Sequence, residues 1–413
     1  MDGNAILERV ERLGRHSDSS ENYTRTFLTP AHRAAAEEIA DWMREAGMSV
    51  RTDAIGNVIG RYEGATPDAK TLLMGSHFDS VRNGGKYDGV LGILVPIACI
   101  AELHARNERT PAALEVVAFS DEEGARFQTS FLSSRALIGR FDAAVVGKQD
   151  AEGITLARAM RDAGLDPDLI RAAQIDLSQL AGYVEVHIEQ GPVLLDEGHA
   201  LGVVTSIASG TRYLIRVHGE AGHAGTVPMT RRRDALAAAA EMVLAVEKIC
   251  AASEGAVGTV GVLRVKDGTG NVIPAEVEFT IDMRAPTDEK RKAAEEGVLA
   301  KLESIAKRRA VGFEAARTHD AQAAPCAAWL QEQLAASVKR CVKGEKVRSL
   351  PSGAGHDAMM LQQVTDVGML FVRCGAGGVS HNPAETVNAR DARLAAEALL
   401  HFLRNFEAPP IPG

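Results

Sequence analysis

The sequence predicts an α/β protein, with a mixed, mainly parallel sheet flanked by helices and an α+β domain inserted into the chain. Two short apolar runs, residues 70–75 and 113–119, have the length and continuity of strands buried on both faces of a sheet. An apolar helical stretch over residues 90–104 separates them, as in a unit of two parallel strands joined by a helix. From about residue 210, apolar and polar residues alternate, which is typical of strands with one solvated face.

The elements outside this unit support the same fold class. Helical periodicity over residues 30–47 begins with Pro30, and proline suits the first turn of a helix. Residues 50–62 are predicted to be extended and to fold back as a hairpin. After the insert, residues 367–372 form another apolar run, so the pattern of buried strands resumes.

The insert is predicted to contain a strand, a helix, two strands, a second helix and a final strand. Its strands are expected at residues 213–218, 258–265, 275–283 and about 312–316, and its helices at 234–250 and 289–309. This order and the alternation within the strands predict an antiparallel sheet. We expect the domains to comprise residues 1–209 and 323–413 for a discontinuous main domain and residues 210–322 for the insert.

Net charge and cysteine content argue against some classes of partner and compartment. The net charge of −9 argues against a nucleic-acid partner, because a broad basic face is missing. The five cysteines are an odd number without a CxxC pair, which indicates a reducing compartment and, by default, the cytoplasm. The sequence contains no run of about 18 apolar residues and no signal-peptide core, so we expect no membrane association.

Residues of the types that bind divalent cations follow the predicted strands. His77 and Asp88 come after the first apolar run, and Glu123 comes after the second. Two further imidazoles, His187 and His381, lie in segments that we also predict to be strands. Open α/β sheets bind ligands in the crevice beyond the carboxyl ends of their strands. Five such side chains with one shared carboxylate would hold two metal ions.

Each of these signals has a structural alternative when it is taken alone. His77 could be a buried, hydrogen-bonded histidine, Asp88 an ordinary turn aspartate and His381 a loop histidine. The adjacent Glu122 and Glu123 could be carboxylates at a helix N-terminus, where the helix dipole favours them. The convergence of all these residues at strand ends favours the metal site.

Two neighbouring acids are predicted to assist the metal ligands. Asp79 shares one face of the extended chain with His77 and is placed to accept a hydrogen bond from its non-ligating nitrogen. Of the adjacent Glu122 and Glu123, one can bind metal while the other removes a proton from the attacking water.

The constellation resembles the dinuclear-metal amidohydrolases related to aminoacylases and carboxypeptidases, specifically their carbamoylase and allantoate amidohydrolase branch. The resemblance covers almost the whole chain, residues 71–386, and is clearest in the strings GSHFDSV (75–81), FSDEEGARFQ (119–128) and GHAGTVP (222–228). It implies a metallopeptidase-like fold in which residues 1–209 and 323–413 form the catalytic, metal-binding domain.

The resemblance also implies the metal ligands. We expect two divalent ions per subunit, zinc or manganese, bound by His77, Asp88, Glu123, His187 and His381. Asp88 would bridge the two ions, and Glu122 would be the general base. Peptidase relatives usually have a carboxylate at the position of His187, and the imidazole here is similar to the amidohydrolase branch.

The insert would be a dimerisation and lid domain. His223, in GHAGTVP, would stabilise the developing oxyanion in the active site of a partner subunit, so we expect a homodimer. The expected substrate-binding residues are Gln190, Arg212, His223, Asn271, Arg284 and His356. The planar guanidinium of Arg284 would suit a substrate carboxylate, which it could bind through two parallel hydrogen bonds.

The expected reaction is metal-dependent hydrolysis of a C–N bond in a small, anionic, linear ureido or amide substrate. The motifs look most like those of allantoate amidohydrolase, which converts allantoate to ureidoglycine, carbon dioxide and ammonia in purine catabolism. An N-carbamoyl-L-amino acid hydrolase, or a β-ureidopropionase-like enzyme, is the alternative. A metal-free small-molecule binding module is the alternative of another class. The sequence lacks the GxSxG motif of serine hydrolases, and its GGKY segment lacks the Ser or Thr that completes a phosphate loop.

Overall fold

The computed structural model describes residues 1–342 and 346–409. The chain divides into two compact units. Unit 1 comprises Met1–Thr205, Pro325–Leu350 and Ala354–Gly413, and unit 2 comprises Ser206–Ala324 and Pro351–Gly353. Within the two described stretches, no helix has the length and apolar character needed to cross a membrane.

The described residues contain sixteen strands. They are β1 (Ser49–Thr52), β2 (Val58–Tyr62), β3 (Thr71–His77), β4 (Ala113–Phe119), β5 (Leu180–Ile188), β6 (Leu201–Ile207), β7 (Ser209–His218), β8 (Gly222–His223), β9 (Val257–Thr259), β10 (Leu263–Val265), β11 (Val272–Ile273), β12 (Glu276–Ala285), β13 (Gly312–Ala321), β14 (Ala324–Pro325), β15 (Arg348–Ser352) and β16 (Val367–Val372).

Six of the eleven α-helices in the described residues begin at a residue whose side chain caps the helix. The eleven helices are α1 (Gly3–Leu13), α2 (Pro30–Glu45), α3 (Val90–Ala105), α4 (Leu132–Leu137), α5 (Leu156–Asp162), α6 (Val193–Asp196), α7 (Ala235–Ala252), α8 (Asp288–Arg309), α9 (Ala328–Cys341), α10 (Ala358–Leu361) and α11 (Ala389–Arg404). Thr29, Asp234 and Thr287 cap α2, α7 and α8 by accepting hydrogen bonds from backbone N–H groups of the first turn.

The larger sheet has nine strands among the residues described, in the order β1–β2–β4–β3–β5–β16–β6–β14, with β15 paired to β6. Its central strands β4, β3, β5 and β16 are parallel, whereas the pairs β1–β2, β2–β4 and β16–β6 are antiparallel. Every residue of β3 and of β16 is buried, as their continuous apolar sequences predict. The predicted α/β fold with a mixed sheet and a separate domain is confirmed.

Helix α3 packs very closely against the carboxyl ends of the central strands. A Cβ atom added at Gly92 would lie 2.2 Å from the carbonyl oxygen of Val186 in β5. A Cβ atom at Gly89, where φ is +66°, would lie 2.4 Å from the carbonyl oxygen of His77. These two glycines let the start of α3, and therefore Asp88, approach the ends of β3 and β5.

Unit 2 contains a five-stranded antiparallel sheet with the order β10–β12–β7–β13, and β9 also pairs with β12. Alternate residues of β7 and β12 are buried, as expected for a sheet with one covered face. Their buried side chains form a separate apolar core with those of α7 and α8. A two-stranded ribbon of β8 and β11 completes this unit.

Two predicted strands are wrong in detail. The single strand expected at residues 258–265 is divided into β9 and β10. Thr259 of β9 pairs with Asp282 of β12, and Leu263 of β10 pairs with Phe279. The two edge residues are thus four positions apart while their partners are three apart, so one extra residue interrupts the pairing. The segment around His381 is a loop, because φ of this residue is +53°, outside the range of a strand.

Candidate metal centre

Three candidate ligands meet at the carboxyl end of the parallel sheet. His77 is the last residue of β3 and His187 lies near the end of the adjacent β5, so both imidazoles reach the same edge. Asp88 approaches them from the start of α3. Its Oδ1 atom lies 3.8 Å from Nε2 of His77 and 3.3 Å from Nε2 of His187. All three side chains are buried.

A second trio forms on the other oxygen of the same carboxylate. Nε2 of His381 lies 3.2 Å from Oδ2 of Asp88 and 3.2 Å from Oε1 of Glu123. In each trio, the potential ligand atoms all lie within 4.8 Å of one another. The structure therefore brings the five predicted ligands into two groups that share Asp88.

The residues present fit a pair of divalent cations. Nε2 of His187 is buried and has no hydrogen-bond partner in the described chain, although it faces Asp88. No lysine or arginine among the described residues pairs with the four carboxylates of the cluster, Asp79, Asp88, Glu122 and Glu123. Buried acidic groups need a compensating cation, and imidazole and carboxylate donors suit zinc or manganese.

Asp79 connects the His77 segment with the loop that follows β4. Its carboxylate accepts hydrogen bonds from the backbone N–H groups of Glu122 at 3.0 Å and Glu123 at 3.2 Å. Nδ1 of His77 lies 3.1 Å from the carbonyl oxygen of Asp79 and 3.4 Å from its Oδ1 atom. Asp79 thus lies behind the His77 imidazole and also orients both glutamates. These glutamates lie in a loop and not at a helix N-terminus.

The protonation behaviour of the cluster follows from burial and mutual charge. Burial and the nearby Glu123 carboxylate raise the pKa of Glu122 well above its usual range. Hydrogen bonds to Asp88 and Glu123 raise the pKa of His381 to about 10. Burial opposes ionisation of Asp88, but the surrounding imidazoles outweigh it and lower the pKa of this carboxyl group. The upward direction of the pKa shift at Glu122 is the one that a general base requires.

Two of the predicted substrate-binding residues lie in unit 1 beside the cluster. Nε2 of Gln190 lies 3.1 and 3.2 Å from the two carboxylate oxygens of Asp88. The backbone of Gln190 has a φ of +56°, which turns the chain sharply after β5. The ring of His356 is buried and packs edge-to-face on that of His187, with 4.4 Å between centroids. Gln190 thus borders the shared carboxylate, whereas His356 supports a candidate ligand from behind.

The two predicted substrate arginines lie in unit 2, where they share one carboxylate. Nε of Arg212 donates to Asp282 at 2.7 Å, and Nε of Arg284 donates to the same side chain at 3.0 Å. Nη1 of Arg284 donates to the carbonyl oxygen of Gly353 at 2.8 Å. A substrate carboxylate would therefore compete with Asp282 for the guanidinium of Arg284.

His223 lies on the two-stranded ribbon of unit 2, and Asn271 directly precedes the other strand of that ribbon. The carbonyl oxygen of Asn271 accepts a hydrogen bond from the backbone N–H of Ala224, the residue after His223. Nδ1 of His223 lies 3.0 Å from the backbone nitrogen of Gly225 and accepts its hydrogen. The neutral imidazole therefore carries its proton on Nε2, which leaves a donor available on an exposed side chain.

Sequence reasoning missed two buried glutamates that support the cluster. Glu385 accepts hydrogen bonds from the backbone N–H groups of Tyr87 and Asp88. Glu185 accepts hydrogen bonds from Ser76 Oγ at 2.7 Å and from the backbone N–H of Ala358 at 3.1 Å. The sequence signal for Glu385 was its position four residues after His381. The sequence signal for Glu185 was a charged residue within an otherwise apolar strand.

Known proteins are similar to this chain in sequence and in fold. The family model for peptidase family M20/M25/M40 matches residues 67–405. Allantoate deiminase 1 from Glycine max is 39% identical over 428 residues, covering 97% of this chain and 88% of that protein. N-carbamoyl-L-amino acid amidohydrolase from Geobacillus stearothermophilus is 40% identical over 402 residues, covering 97% of this chain and 98% of that protein.

A solved structure extends the similarity to the fold. The crystal structure of an amidase of the hydantoinase/carbamoylase family from Burkholderia multivorans has a TM-score of 0.91 to this chain. It is 30% identical in sequence, and the match covers 99% of each chain. Together with the family match, this agreement confirms the resemblance seen in the sequence motifs. The chain belongs to peptidase family M20/M25/M40, in its carbamoylase and allantoate amidohydrolase branch.

Proposed function

We propose that this protein is a dinuclear, metal-dependent amidohydrolase that cleaves the C–N bond of a small ureido substrate. The observation that carries the proposal is the pair of ligand trios that share Asp88. One carboxylate can offer an oxygen to each of two cations and would so hold them close together. The members of the trios, His77, Asp88, Glu123, His187 and His381, would hold the ions, zinc or manganese. When bound, the ions would polarise the scissile carbonyl and lower the pKa of water at the site.

The residues around the trios supply the remaining chemistry. Glu122 belongs to neither of the trios that share Asp88, although it lies close enough to His77 and Glu123 to form a further group of possible ligands. In this proposal, its carboxylate accepts the proton of the attacking water. It would then deliver that proton to the leaving nitrogen. Asp79 keeps Glu122 in place through the backbone hydrogen bond and limits the rotation of the His77 ring.

The test of this proposal compares two adjacent glutamates. Glu122→Gln should lower kcat by about 10²–10⁴-fold while both metal ions remain, because the amide cannot accept the proton. Glu123→Gln should instead reduce the metal content, measured by elemental analysis after dialysis. If Glu122→Gln leaves every measured activity unchanged, the protein is better described as a binding module.

Allantoate is the substrate we propose first, and N-carbamoyl-L-amino acids are the alternative. We propose both substrate classes because the relatives named for them are 39% and 40% identical to the chain. Ammonia release from allantoate and from a panel of N-carbamoyl-L-amino acids should be compared as kcat/KM. A preference for allantoate would support the first assignment, and no turnover of either substrate class would overturn both.

We further propose a homodimer in which His223 donates a hydrogen bond to the oxyanion in the partner's active site. The proton on Nε2 and the exposure of this side chain support the role. Mixing inactive His223→Ala and Glu122→Gln subunits should restore up to about a quarter of wild-type activity, since half the dimers would be mixed and each would hold one complete site. No recovery on mixing would place the donor within its own subunit.

The cytoplasm is the compartment we propose. All five cysteines have free thiols, and four of them are buried. Free thiols persist in reducing compartments. Unchanged mobility of the native protein on non-reducing gels, with and without reductant, would agree with this assignment.

A further inference from the structure

Glu385 connects two segments that each carry a candidate metal ligand. Its side chain is buried, with 2% of the residue exposed. One carboxylate oxygen accepts hydrogen bonds from the backbone N–H groups of Tyr87 at 2.9 Å and Asp88 at 3.0 Å. The other oxygen accepts a hydrogen bond from Ser380 Oγ at 2.7 Å. Ser380 directly precedes His381, so the carboxylate lies between the shared ligand and the most exposed one.

Neither of these segments lies within a strand or a helix, although the N–H of Leu91 in the first turn of α3 donates to the carbonyl oxygen of Tyr87. Asp88 is followed by Gly89 with a φ of +66°, and His381 has a φ of +53°. Backbone with such angles is outside strands and helices and lacks their repeated hydrogen bonds. The buried side chain of Glu385 supplies hydrogen bonds to both segments, and Nε2 of Gln190 also donates to Asp88 at 3.1 Å and to Ser380 Oγ at 3.3 Å.

The chain leaves room for this carboxylate at Gly85. A Cβ atom added there would lie 2.2 Å from Cδ and 2.2 Å from Oε1 of Glu385, far too close for any side chain. The glycine lies three residues before Asp88, in the same loop. Its lack of a side chain therefore allows the loop to close over Glu385.

We propose that Glu385 is a positioning residue for the metal centre, which sets the separation of Asp88 and His381. This inference rests on the proposed function, because it assumes that the two trios bind metal ions. The trio of Asp88, Glu123 and His381 contains both ligands that Glu385 fastens, whereas the trio of His77, Asp88 and His187 contains only one. Loss of Glu385 should therefore weaken the ion of the first trio more than that of the second.

The experiment titrates zinc or manganese into full-length, chelator-stripped protein and measures stoichiometry and affinity by calorimetry. The wild type should bind two ions per chain. Glu385→Ala should retain one tight ion and bind the other about 10–100-fold more weakly, the usual effect of removing a group that orients a ligand. Glu385→Gln should restore binding, since its amide oxygen can accept from the backbone and its NH₂ can donate to Ser380.

Two further variants separate positioning from general loosening. Gly85→Ala should weaken the same ion although Glu385 is present, because the added methyl group displaces its carboxylate. Glu189→Ala is the matched control: this buried carboxylate also accepts two backbone N–H groups, from Val193 at 2.7 Å and Leu194 at 2.9 Å. It fastens the end of β5, which carries His187, to α6 and contacts neither the Asp88 segment nor the His381 segment. The ion of Asp88, Glu123 and His381 should therefore bind to this variant as in the wild type.

The outcomes distinguish a failure of the proposed function from a failure of the positioning role of Glu385. Wild-type protein that binds fewer than two ions would overturn the proposed function, and this inference with it. Two ions in the wild type and unchanged affinities in Glu385→Ala would overturn the positioning role alone. An equal loss in Glu189→Ala would do the same, by showing a general effect. Should Glu385→Ala fail to fold, wild-type affinities in Gly85→Ala would be decisive against the proposal.

Discussion

Buried charges occur in both units of the molecule, and their partners differ. In unit 2, Arg291 lies 2.8 Å from Glu295 and 3.0 Å from Asp320, and Arg317 lies 3.0 Å from Asp320. Tyr213 donates a hydrogen bond to Glu295 and accepts one from Arg317. We refer to these five residues as the ion network. In unit 1, the carboxylates of the candidate metal centre face imidazoles instead.

This difference explains why one cluster is suited to metal and the other is not. A guanidinium keeps its proton at any physiological pH, so the two arginines of the ion network neutralise its two carboxylates permanently. An imidazole can release its proton and offer a lone pair to a cation. Each cluster contains a carboxylate that is almost fully buried, Glu295 in the ion network and Asp88 in the metal centre, whereas Arg317 and Asp320 are nearly half exposed. The kind of cationic partner distinguishes the structural network from the metal centre.

The largest expected effect is the loss of both metal ions when the shared carboxylate is removed. Asp88→Ala should bind neither ion tightly, because Asp88 belongs to both trios. His381→Ala should lose only one ion, since this residue belongs to a single trio. Asp320→Ala, within the ion network, should keep two ions and serves as the control. Elemental analysis after dialysis measures all three, and two ions retained in Asp88→Ala would contradict the shared site.

The next largest effect is expected in the ion network. Glu295→Ala would leave Arg291, which is 3% exposed, without its buried partner. Breaking a buried ion pair in this way costs about 3–5 kcal/mol. Urea unfolding and hydrogen exchange should show the loss in the sheet of unit 2, without a change in metal content. A loss below about 1 kcal/mol would place the pair among ordinary surface ion pairs.

A pH effect of similar size is expected at a buried imidazole outside both clusters. Burial lowers the pKa of His32 to about 4, and its Nε2 atom lies 2.8 Å from the carbonyl oxygen of Ser120. The unfolded chain therefore binds a proton on this group before the folded chain does. The stabilisation is present above pH 6.5 and is lost as the pH falls from about 6.5 to about 4, amounting to about 3 kcal/mol.

This pH dependence is measured as a difference between two proteins. Burial raises the pKa of Asp53 to about 6, and this group acts in the opposite direction over nearly the same range. His32→Gln cannot titrate but can still donate a hydrogen bond to the carbonyl oxygen of Ser120. Asp53 is present in both proteins, so its contribution to the pH dependence cancels in the difference. The free energy of unfolding of the wild type, minus that of His32→Gln, should decrease between pH 7 and pH 4. A constant difference would show that His32 is not held in its neutral form.

The smallest effect on the free energy of unfolding is expected when a chelator removes the metal ions. Each ion at ten times its dissociation constant would stabilise the folded chain by about 1.4 kcal/mol, by mass action. A chelator should therefore increase hydrogen exchange around His77 and Asp88 in unit 1 and leave the strands of unit 2 unaffected. Equal changes in both units would contradict the contrast between the two clusters.

The fold was largely predictable because its signals are local. The run of residues 113–119 is β4 with the same bounds, and Pro30 begins α2 as expected. Continuous apolar runs and capping side chains determine such elements wherever they lie. The edge of the unit 2 sheet was not predictable in detail, because the extra residue between β9 and β10 becomes apparent only against its partner strand.

The candidate site was predictable in its residue types and less so in its contacts. The sequence indicated His77, Asp88 and Glu123 through their places after apolar runs, and the structure brings them together with His187 and His381. That these residues bind metal remains a prediction. Arg212 and Arg284 both donate hydrogen bonds to Asp282, and nothing in the sequence around either arginine indicated this.

The amino-acid sequence by itself determined the order of strands and helices, the family and the set of residues able to bind a cation. Only the tertiary structure decided that Asp88 offers one oxygen to each trio and that Glu385 fastens its loop to the segment of His381. The physical reason is the distance along the chain. Apolar periodicity and helix capping act between near neighbours, whereas the contacts of Asp88 with His381 and Glu385 join residues almost 300 positions apart that meet only after the sheet has packed.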